Sequence, residues 1–212
     1  MSEFDDEEYE SFELDGASKS AASASQRAGA DDEFDDETDD DEDFDEVDLE
    51  DAADDEIDFV LAAYREDGQP YVQSLSKDLA NDLDELIVQL RRLPGDAGAL
   101  GFVSLVEEVF VITRVRGQHV QVLLSDTAAA SDWPIARDVV DYLGEEALED
   151  EEEEEGDPIG DLGIVADLGL SDFDMSAIID NLDLSSVEML TQIADKIKLN
   201  PQFRKAVEAA VG

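Results

Sequence analysis

The run from Ala99 to Pro134 constrains the fold most, because it is the densest stretch of β-branched and aromatic residues in the chain. Between Val109 and Arg116 every second residue is a valine or a threonine, which is the period of two typical of a strand. Gly117 permits a tight reversal, and the alternation resumes from Val120 to Leu124. Leu100 to Leu105 supplies a third apolar segment. The run therefore predicts a three-stranded antiparallel meander with one buried face.

Two further strands and a helix are predicted upstream of this run. The strands cover Asp58 to Arg65 and Tyr71 to Leu75, and Asp67-Gly68 between them is a strong signal for a two-residue hairpin turn. Leucine and isoleucine then recur at helical spacing. This spacing predicts one helix from Ser76 or Lys77 to Arg92, with Ser76 as its cap.

A second helix is predicted downstream of the meander. Asp126 can cap a short helical turn, and Asp132 can cap a longer helix with Pro134 in its first turn, where the missing N–H costs nothing. Gly144 ends this helix. The predicted order is β-β-α-β-β-β-α. This is an α+β fold in which an antiparallel sheet of about five strands packs against helices on its buried face.

Residues 158–212 contain the capping and start signals of a small helical unit. Ser171 or Asp172 precedes one apolar helix, Ser185 to Glu188 is a capping box, and Asn200-Pro201 opens a last helix. A unit of this size has a thin core alone. It therefore either stands apart or docks on the sheet domain.

Negative charge is the anomaly of the composition, and it is unevenly distributed. The chain has 60 acidic and 13 basic residues, a net charge of −47. Residues 1–58 hold 28 acids and two bases, and residues 145–161 hold 11 acids and no base. Such blocks repel themselves and resist folding. The sequence therefore predicts a disordered acidic tail (1–56), a sheet domain (57–144), an acidic linker (145–157) and a helical unit (158–212).

The composition also excludes several classes of protein. Without cysteine there is no disulfide and no thiolate–zinc site, and His119, the only histidine, lacks the convergent partners of a catalytic site. No apolar run reaches the ~18 residues of a membrane helix, and an acidic start is the opposite of a signal peptide. The excess of negative charge argues against direct binding of nucleic acid. We expect a soluble cytoplasmic protein with no cofactor and no bound metal, and the oligomeric state stays open.

Five residues are candidates for contacting a partner. Arg65, Arg114, Arg116 and Arg137 could converge on an anion, or could cap sheet edges and balance nearby acid. Trp133, the only tryptophan, is predicted to pack in the core or between domains. No residue is predicted to be catalytic.

Short motifs spread over the predicted folded part form a distinctive ordered set. They are Tyr64-Arg65-Glu66-Asp67-Gly68, Leu93-Pro94-Gly95, Ala99-Leu100-Gly101, Val115-Arg116-Gly117, Leu123-Leu124-Ser125-Asp126, Asp132-Trp133-Pro134, Gly160-Asp161-Leu162, Asp167-Leu168-Gly169-Leu170 and Glu188-Met189-Leu190. In this order they resemble a bacterial family, the tRNA adenosine deaminase-associated proteins, over residues 57–205. The resemblance implies a protein that accompanies the deaminase, and it supplies no catalytic residue.

The chain cannot itself be the deaminase. A zinc nucleobase deaminase needs a His or Cys ligand set with a Pro-Cys-x-x-Cys element. This sequence has no cysteine and one histidine.

Three functions remain open from the sequence. The favoured one is a non-catalytic accessory or adaptor protein that binds the tRNA adenosine deaminase, or another basic protein, through the sheet domain while the acidic tails steer association. The second is an acidic mimic of nucleic acid that blocks a tRNA-binding surface. The third is an enzyme that uses carboxylates and a divalent metal.

Overall fold

The computed structural model describes residues 49–95, 97–145 and 156–211. Most of the predicted acidic tail (1–48) and of the predicted linker (146–155) lies outside the described residues. Folded structure starts upstream of the predicted boundary at Ile57. Ala52 is buried, and its backbone N–H donates to Asn81 Oδ1 at 2.8 Å.

The structure confirms an α+β fold built on one antiparallel sheet. Six strands form it: β1 (Ile57–Glu66), β2 (Gln69–Ser74), β3 (Ala99–Leu105), β4 (Val109–Arg116), β5 (His119–Leu124) and β6 (Ile159–Gly160). They lie in the order β2-β1-β3-β4-β5-β6. The predicted meander is β3-β4-β5. The sequence does not predict β6, because two residues are too few to show a period.

Tight turns confirm the two predicted hairpins. Asp67-Gly68 joins β1 to β2 with φ angles of 51° and 77°, and Gly117, with φ 60°, joins β4 to β5. The turn between β3 and β4 is different, since Val106 and Glu107 have φ angles of 47° and 60°. Residues with side chains rarely adopt this left-handed conformation, so the turn is strained.

The first face of the sheet packs against α1 (Leu83–Arg91). The sequence predicts one helix from Ser76 or Lys77 to Arg92, and this is wrong in its first half. A 3-10 turn, Lys77–Ala80, comes first, and Ser76 makes no capping bond. Asp82 then starts α1, because its carboxylate accepts a hydrogen bond from the third helical N–H at 2.7 Å.

The same face packs against α2 (Pro134–Leu143). Pro134 is its first residue, as predicted, and Gly144 ends it with φ 72°. The N-cap is Trp133 rather than the predicted Asp132. The reason is that Asp132 already ends the preceding 3-10 turn, Thr127–Ser131.

Helices also cover the second face of the sheet, so the prediction of a single buried face is wrong. These helices are α3 (Asp172–Ile179), α4 (Ser186–Lys196) and α5 (Gln202–Val211). Ser171 caps α3, and the predicted capping box of Ser185 with Glu188 starts α4. Every residue of β3 and β4 except Arg116 is buried, as expected of strands that are covered on both sides.

Phe203 shows how the C-terminal helices join the sheet. Its ring is fully buried and stands edge-on to Phe102 at 5.1 Å and to Phe59 at 6.0 Å between ring centroids. Edge-to-face pairs of this kind add to the burial of apolar area. The helical unit therefore docks on the sheet, and residues 46–212 form one compact unit.

Candidate protein-interaction surface

The five residues predicted to contact a partner lie in two separate places. Arg65, Arg114 and Arg116 reach from β1 and β4 toward the C-terminal helices on the second face. Trp133 and Arg137 lie at the start of α2, on the first face. The fold thus brings three of the four arginines together and leaves Arg137 apart.

Arg114 is buried and ion-paired. It is 2% exposed, and its guanidinium donates to both carboxylate oxygens of Asp167, with Nη2 to Oδ2 at 2.8 Å. It also donates to the carbonyl oxygen of Ile164 at 2.7 Å. The hydrogen bond from Arg114 holds the pKa of Asp167 below its usual range. The pair fastens the segment before α3 to the sheet.

Arg65 and Arg116 flank this pair. Arg65 Nη2 donates to the carbonyl oxygen of Ile197, at the end of α4, at 2.5 Å, and Arg116 Nη1 lies 4.0 Å from Asp167 Oδ2. The cavity between Arg65 and Arg114 has a volume of about 10 Å³, which is room for about one water molecule. The anion that Arg114 and Arg116 both approach is therefore a side chain of the same protein, the Asp167 carboxylate.

Trp133 and Arg137 hold the start of α2 in place. Trp133 is half-buried and packs against the core of the first face. Arg137 Nε donates to the carbonyl oxygen of Ala130 at 3.0 Å, which ties α2 to the 3-10 turn before it. Binding of a partner through any of the five residues stays a prediction.

The structure places the histidine and describes the arrangement of the acidic side chains. His119 is exposed at the first position of β5. Within residues 49–95, 97–145 and 156–211, no group of three or more His, Asp or Glu side chains is placed to hold a metal ion. In the same part of the chain no helix is long and apolar enough to cross a membrane.

A groove of about 530 Å³ lies beside β6 and the end of α2. Its lining includes Gln121, Tyr142 and Asp161. The carboxylate of Asp161 already accepts hydrogen bonds from the backbone N–H of Gly163 at 2.8 Å and from the Gln121 side chain. The carboxylate in the groove therefore stabilises the loop that begins at Asp161.

Sequence reasoning missed two strongly exposed apolar side chains. Phe173, on α3, is 79% exposed, and Leu182, shortly after α3, is 76% exposed. A signal for Phe173 is present in the sequence, because the five apolar residues of α3 do not share one face of the helix, and only Met175, Ile178 and Ile179 of them are buried. A helix with one buried face needs fewer apolar residues than this.

Carboxylates flank these apolar side chains in the sequence. The exposed aspartates are Asp172, Asp174, Asp180 and Asp183. No lysine or arginine occurs in the sequence between Arg137 and Lys196. We call Phe173, Ala177, Leu182 and the four aspartates the α3 surface. Exposed apolar side chains that have carboxylates next to them are complementary to an apolar patch ringed by lysine and arginine.

Comparisons with known proteins extend over the sheet and the first four helices. A family model described as Rv3753c-like tRNA adenosine deaminase-associated protein matches residues 58–200. The protein Rv3753c of Mycobacterium tuberculosis is 32% identical over 159 residues, which cover 74% of this chain and 91% of that relative. No solved structure matches the chain. The chain therefore belongs to the Rv3753c-like tRNA adenosine deaminase-associated protein family.

Proposed function

We propose that the protein is a cytoplasmic, non-catalytic accessory protein that binds the tRNA adenosine deaminase of its own organism. The description of the family, which names an association with that enzyme, supports this proposal. So does the composition, because 212 residues without cysteine and with one histidine do not supply the zinc ligands of a nucleobase deaminase. The protein accompanies the enzyme and does not duplicate its chemistry.

The α3 surface is the observation that carries the proposal furthest. An enzyme that binds tRNA needs positive charge for the phosphates. The four aspartates of the α3 surface are complementary to positive charge on such an enzyme. Full burial of a phenylalanine side chain contributes about 1.5–3 kcal/mol. Phe173 can therefore supply affinity, while the aspartates supply orientation and select a basic partner.

The acidic N-terminal tract adds long-range attraction to this contact. Residues 1–48 hold 22 acidic and two basic residues. Charges of one sign accelerate the encounter with a partner of the opposite sign, and salt screens this effect beyond about 8 Å at physiological ionic strength. In the proposed complex the tract speeds encounter and the folded unit holds the partner.

Calorimetric titration against the purified deaminase tests the proposal. The full chain and residues 46–212, which form one compact unit, are titrated at low and at near-physiological salt. We expect saturable binding by both forms at both salt concentrations, and stopped-flow mixing of the same pairs should show slower association for the shorter form.

Other outcomes of the titration would favour a different function. Binding by the full chain alone, lost at the higher salt, would favour the second candidate, an acidic mimic of nucleic acid whose tract is the binding element. Thermal stabilisation of the full chain by a divalent metal, without binding to the deaminase, would favour a carboxylate-dependent enzyme. No heat with the deaminase at either salt would contradict the accessory role.

A further inference from the structure

One edge of the sheet, formed by β2, carries no charge that would prevent a further strand from pairing with it. β2 is the first strand in the order β2-β1-β3-β4-β5-β6, and among the described residues only β1 pairs with it. Its six residues, Gln69–Ser74, include no charged side chain, although charged residues make up 34% of the whole chain. Proteins commonly place lysine or another charge on an edge strand to block unwanted pairing. This edge lacks that protection.

The register of β2 shows which of its backbone groups face away from the sheet. The N–H of Leu75 donates to the carbonyl oxygen of Val60 on β1 at 2.9 Å. Successive residues of an antiparallel strand point their backbone groups alternately toward one neighbour and toward the other. The groups of Pro70, Val72 and Ser74 therefore point away from β1. In the part of the chain that the structure describes, no hydrogen bond reaches them.

These outward groups have the spacing that a strand requires. Val72 and Ser74 each present an N–H and a carbonyl oxygen, whereas Pro70 presents only a carbonyl oxygen, because proline has no N–H. The side chain of Val72 packs against the core of the second face, which holds the edge in place. Extended peptides add a strand to a sheet edge by bonding such groups at every second residue. The backbone thus specifies an extended partner and not a helix.

Tyr71 gives this edge an aromatic surface. Its ring is 45% exposed and stacks on Tyr64, its cross-strand partner, at 5.4 Å between ring centroids and an interplanar angle of 14°. Tyr64 lies on the β1 side, so the other face of the Tyr71 ring looks toward the open side of β2. We call the outward backbone groups of Pro70, Val72 and Ser74, together with the Tyr71 ring, the β2 edge.

Exposed carboxylates lie next to both ends of β2. Glu66 and Asp67 lie at the turn before it, and Asp78 follows it. The ammonium group of Lys77, at the second end, is held by two backbone carbonyl oxygens at 2.7 and 2.6 Å. A positively charged strand is therefore complementary to the β2 edge.

We propose that the β2 edge is a docking surface for an extended segment of a partner protein that places arginine or lysine opposite Tyr71. The backbone groups of Tyr71 point to β1, so the residue opposite it forms a non-hydrogen-bonded pair, in which the Cα atoms approach to about 4.5 Å. A cation at this position lies against the free face of the ring. The inference does not depend on the proposed function, because the β2 edge shares no residue with the α3 surface.

A second copy of this chain fits the β2 edge less well than a basic segment. Antiparallel pairing of two β2 strands would place Glu66 and Asp67 of one copy beside Asp78 of the other. Each copy also has a net charge of −47. Like charges oppose both the local pairing and the approach of the two chains.

Amide hydrogen exchange of the full chain, followed by NMR, tests the proposal with a defined probe. The probe is a blocked octapeptide of alternating threonine and arginine, and the same peptide with glutamate in place of arginine is the control for charge. With the arginine peptide at about ten times its Kd, exchange of the Val72 and Ser74 amides should slow about tenfold, because only the free fraction exchanges. The amide of Gln73, which faces β1, should change little. The glutamate peptide should protect neither outward amide.

Methylation of alternate peptide amides separates backbone pairing from attraction of charge. If arginine lies opposite Tyr71, the threonine amides of the peptide face Val72 and Ser74, and the arginine amides face away. Methyl groups on the threonine amides should therefore weaken binding at least about tenfold, whereas methyl groups on the arginine amides should leave it nearly unchanged. An equal effect of the two methylations would overturn the proposal.

Ser74→Pro tests the same pairing from the side of the protein. This change removes one outward N–H and leaves the bonds to β1, and Ser74→Ala, which keeps the N–H, is its matched control. We expect Ser74→Pro to weaken binding of the arginine peptide about tenfold and Ser74→Ala to leave it unchanged, with thermal unfolding of both variants as the check of folding.

Three results would contradict docking of a basic segment at the β2 edge. Binding of the arginine peptide without slower exchange at Val72 and Ser74 would place it on carboxylates elsewhere in the chain. Equal protection by the glutamate peptide would show that charge does not select the occupant. Protection without any peptide that grows with protein concentration would assign the edge to a second copy.

Discussion

The buried guanidinium of Arg114 and the half-exposed carboxylate of Asp167 form a two-point ion pair between β4 and the 3-10 turn Ala166–Leu168. This pair fastens the polar end of the second face, while Phe203 fastens its apolar centre. A charged contact and an aromatic cluster thus both join the sheet to the chain that follows it.

The two partners of this pair should differ in the effect of their removal. Asp167→Ala leaves a buried cation, and we expect it to lower the free energy of unfolding by about 3 kcal/mol, the lower end of the range for a broken buried pair, because Asp167 is 51% exposed. Arg114→Met fills most of the same volume without a charge and should cost less. Urea denaturation followed by Trp133 fluorescence measures both.

Arg116→Met is the matched control for these variants. Arg116 approaches the same carboxylate only to 4.0 Å from an exposed position, so its replacement should change stability by less than about 0.5 kcal/mol. A greater loss for Arg114→Met than for Asp167→Ala would contradict the view that the aspartate mainly neutralises a buried arginine.

Asp138 should make stability depend on pH. Burial raises the pKa of its carboxyl above 3.8, and the neighbouring carboxylates of Asp82, Asp141 and Asp84 add to this effect. The folded state therefore holds the proton more tightly than the unfolded state. This group favours folding below its unfolded pKa, and the contribution is lost as pH rises through the raised folded pKa.

The Asp138→Asn variant tests the direction of this dependence of stability on pH. The amide oxygen can still accept the hydrogen bond that Leu83 N–H now donates at 3.0 Å. We expect the variant to melt above the wild type at about pH 7, and to lose its advantage below the unfolded pKa of about 3.9. A lower melting temperature near neutral pH would show that the ionised carboxylate stabilises the fold.

Replacement of Glu107 by glycine should stabilise the folded state. Its φ of 60° is strained for a residue with a side chain, while its backbone N–H donates to Asp58 Oδ2 and its carbonyl accepts from the backbone N–H of Ser186, both at 2.8 Å. Glu107→Gly keeps both bonds and should raise the free energy of unfolding by about 0.5–1 kcal/mol. Glu108→Gly, next to it and without a positive φ, should lower stability instead, and a matching gain from both changes would argue against strain at Glu107.

Truncation to alanine should lower stability strongly at Phe203 and hardly at all at Phe173. Phe203→Ala removes a fully buried ring and should cost about 3–5 kcal/mol. Hydrogen exchange in α3 to α5 should increase as the helices loosen. Phe173→Ala removes a ring that is 79% exposed and should change stability by less than about 0.5 kcal/mol. A large loss of stability from Phe173→Ala would mean that this ring serves the fold and not a partner.

Much of the sheet could be predicted from the sequence. The period of two indicated β4 and β5, an apolar segment indicated β3, and the turn signals at Gly68 and Gly117 indicated the two hairpins, the first of which joins β1 to β2. The capping box at Ser185 and the stop at Gly144 were equally informative. These features are local, so neighbouring residues alone determine them.

The remaining features depend on contacts that are distant in sequence. Arg114 alternates with valines as a solvent-facing residue would, and acceptors distant in sequence, chiefly Asp167 and Ile164, make its burial tolerable. The break before α1 arises because Asp82 caps better than Ser76. The exposure of Phe173 could be suspected from the excess of apolar residues in α3, but which side is buried depends on the docking of α4 and the sheet.

The most direct test of the account is titration of the tRNA adenosine deaminase with the full chain carrying Phe173→Ala. Tyr142→Ala is the matched control, because Tyr142 is an aromatic residue 47% exposed on α2. The account predicts that Phe173→Ala raises Kd about tenfold, a loss of about 1.4 kcal/mol, and that Tyr142→Ala leaves it unchanged. Unchanged affinity for Phe173→Ala, or equal weakening by both variants, would contradict the α3 surface as the site of contact.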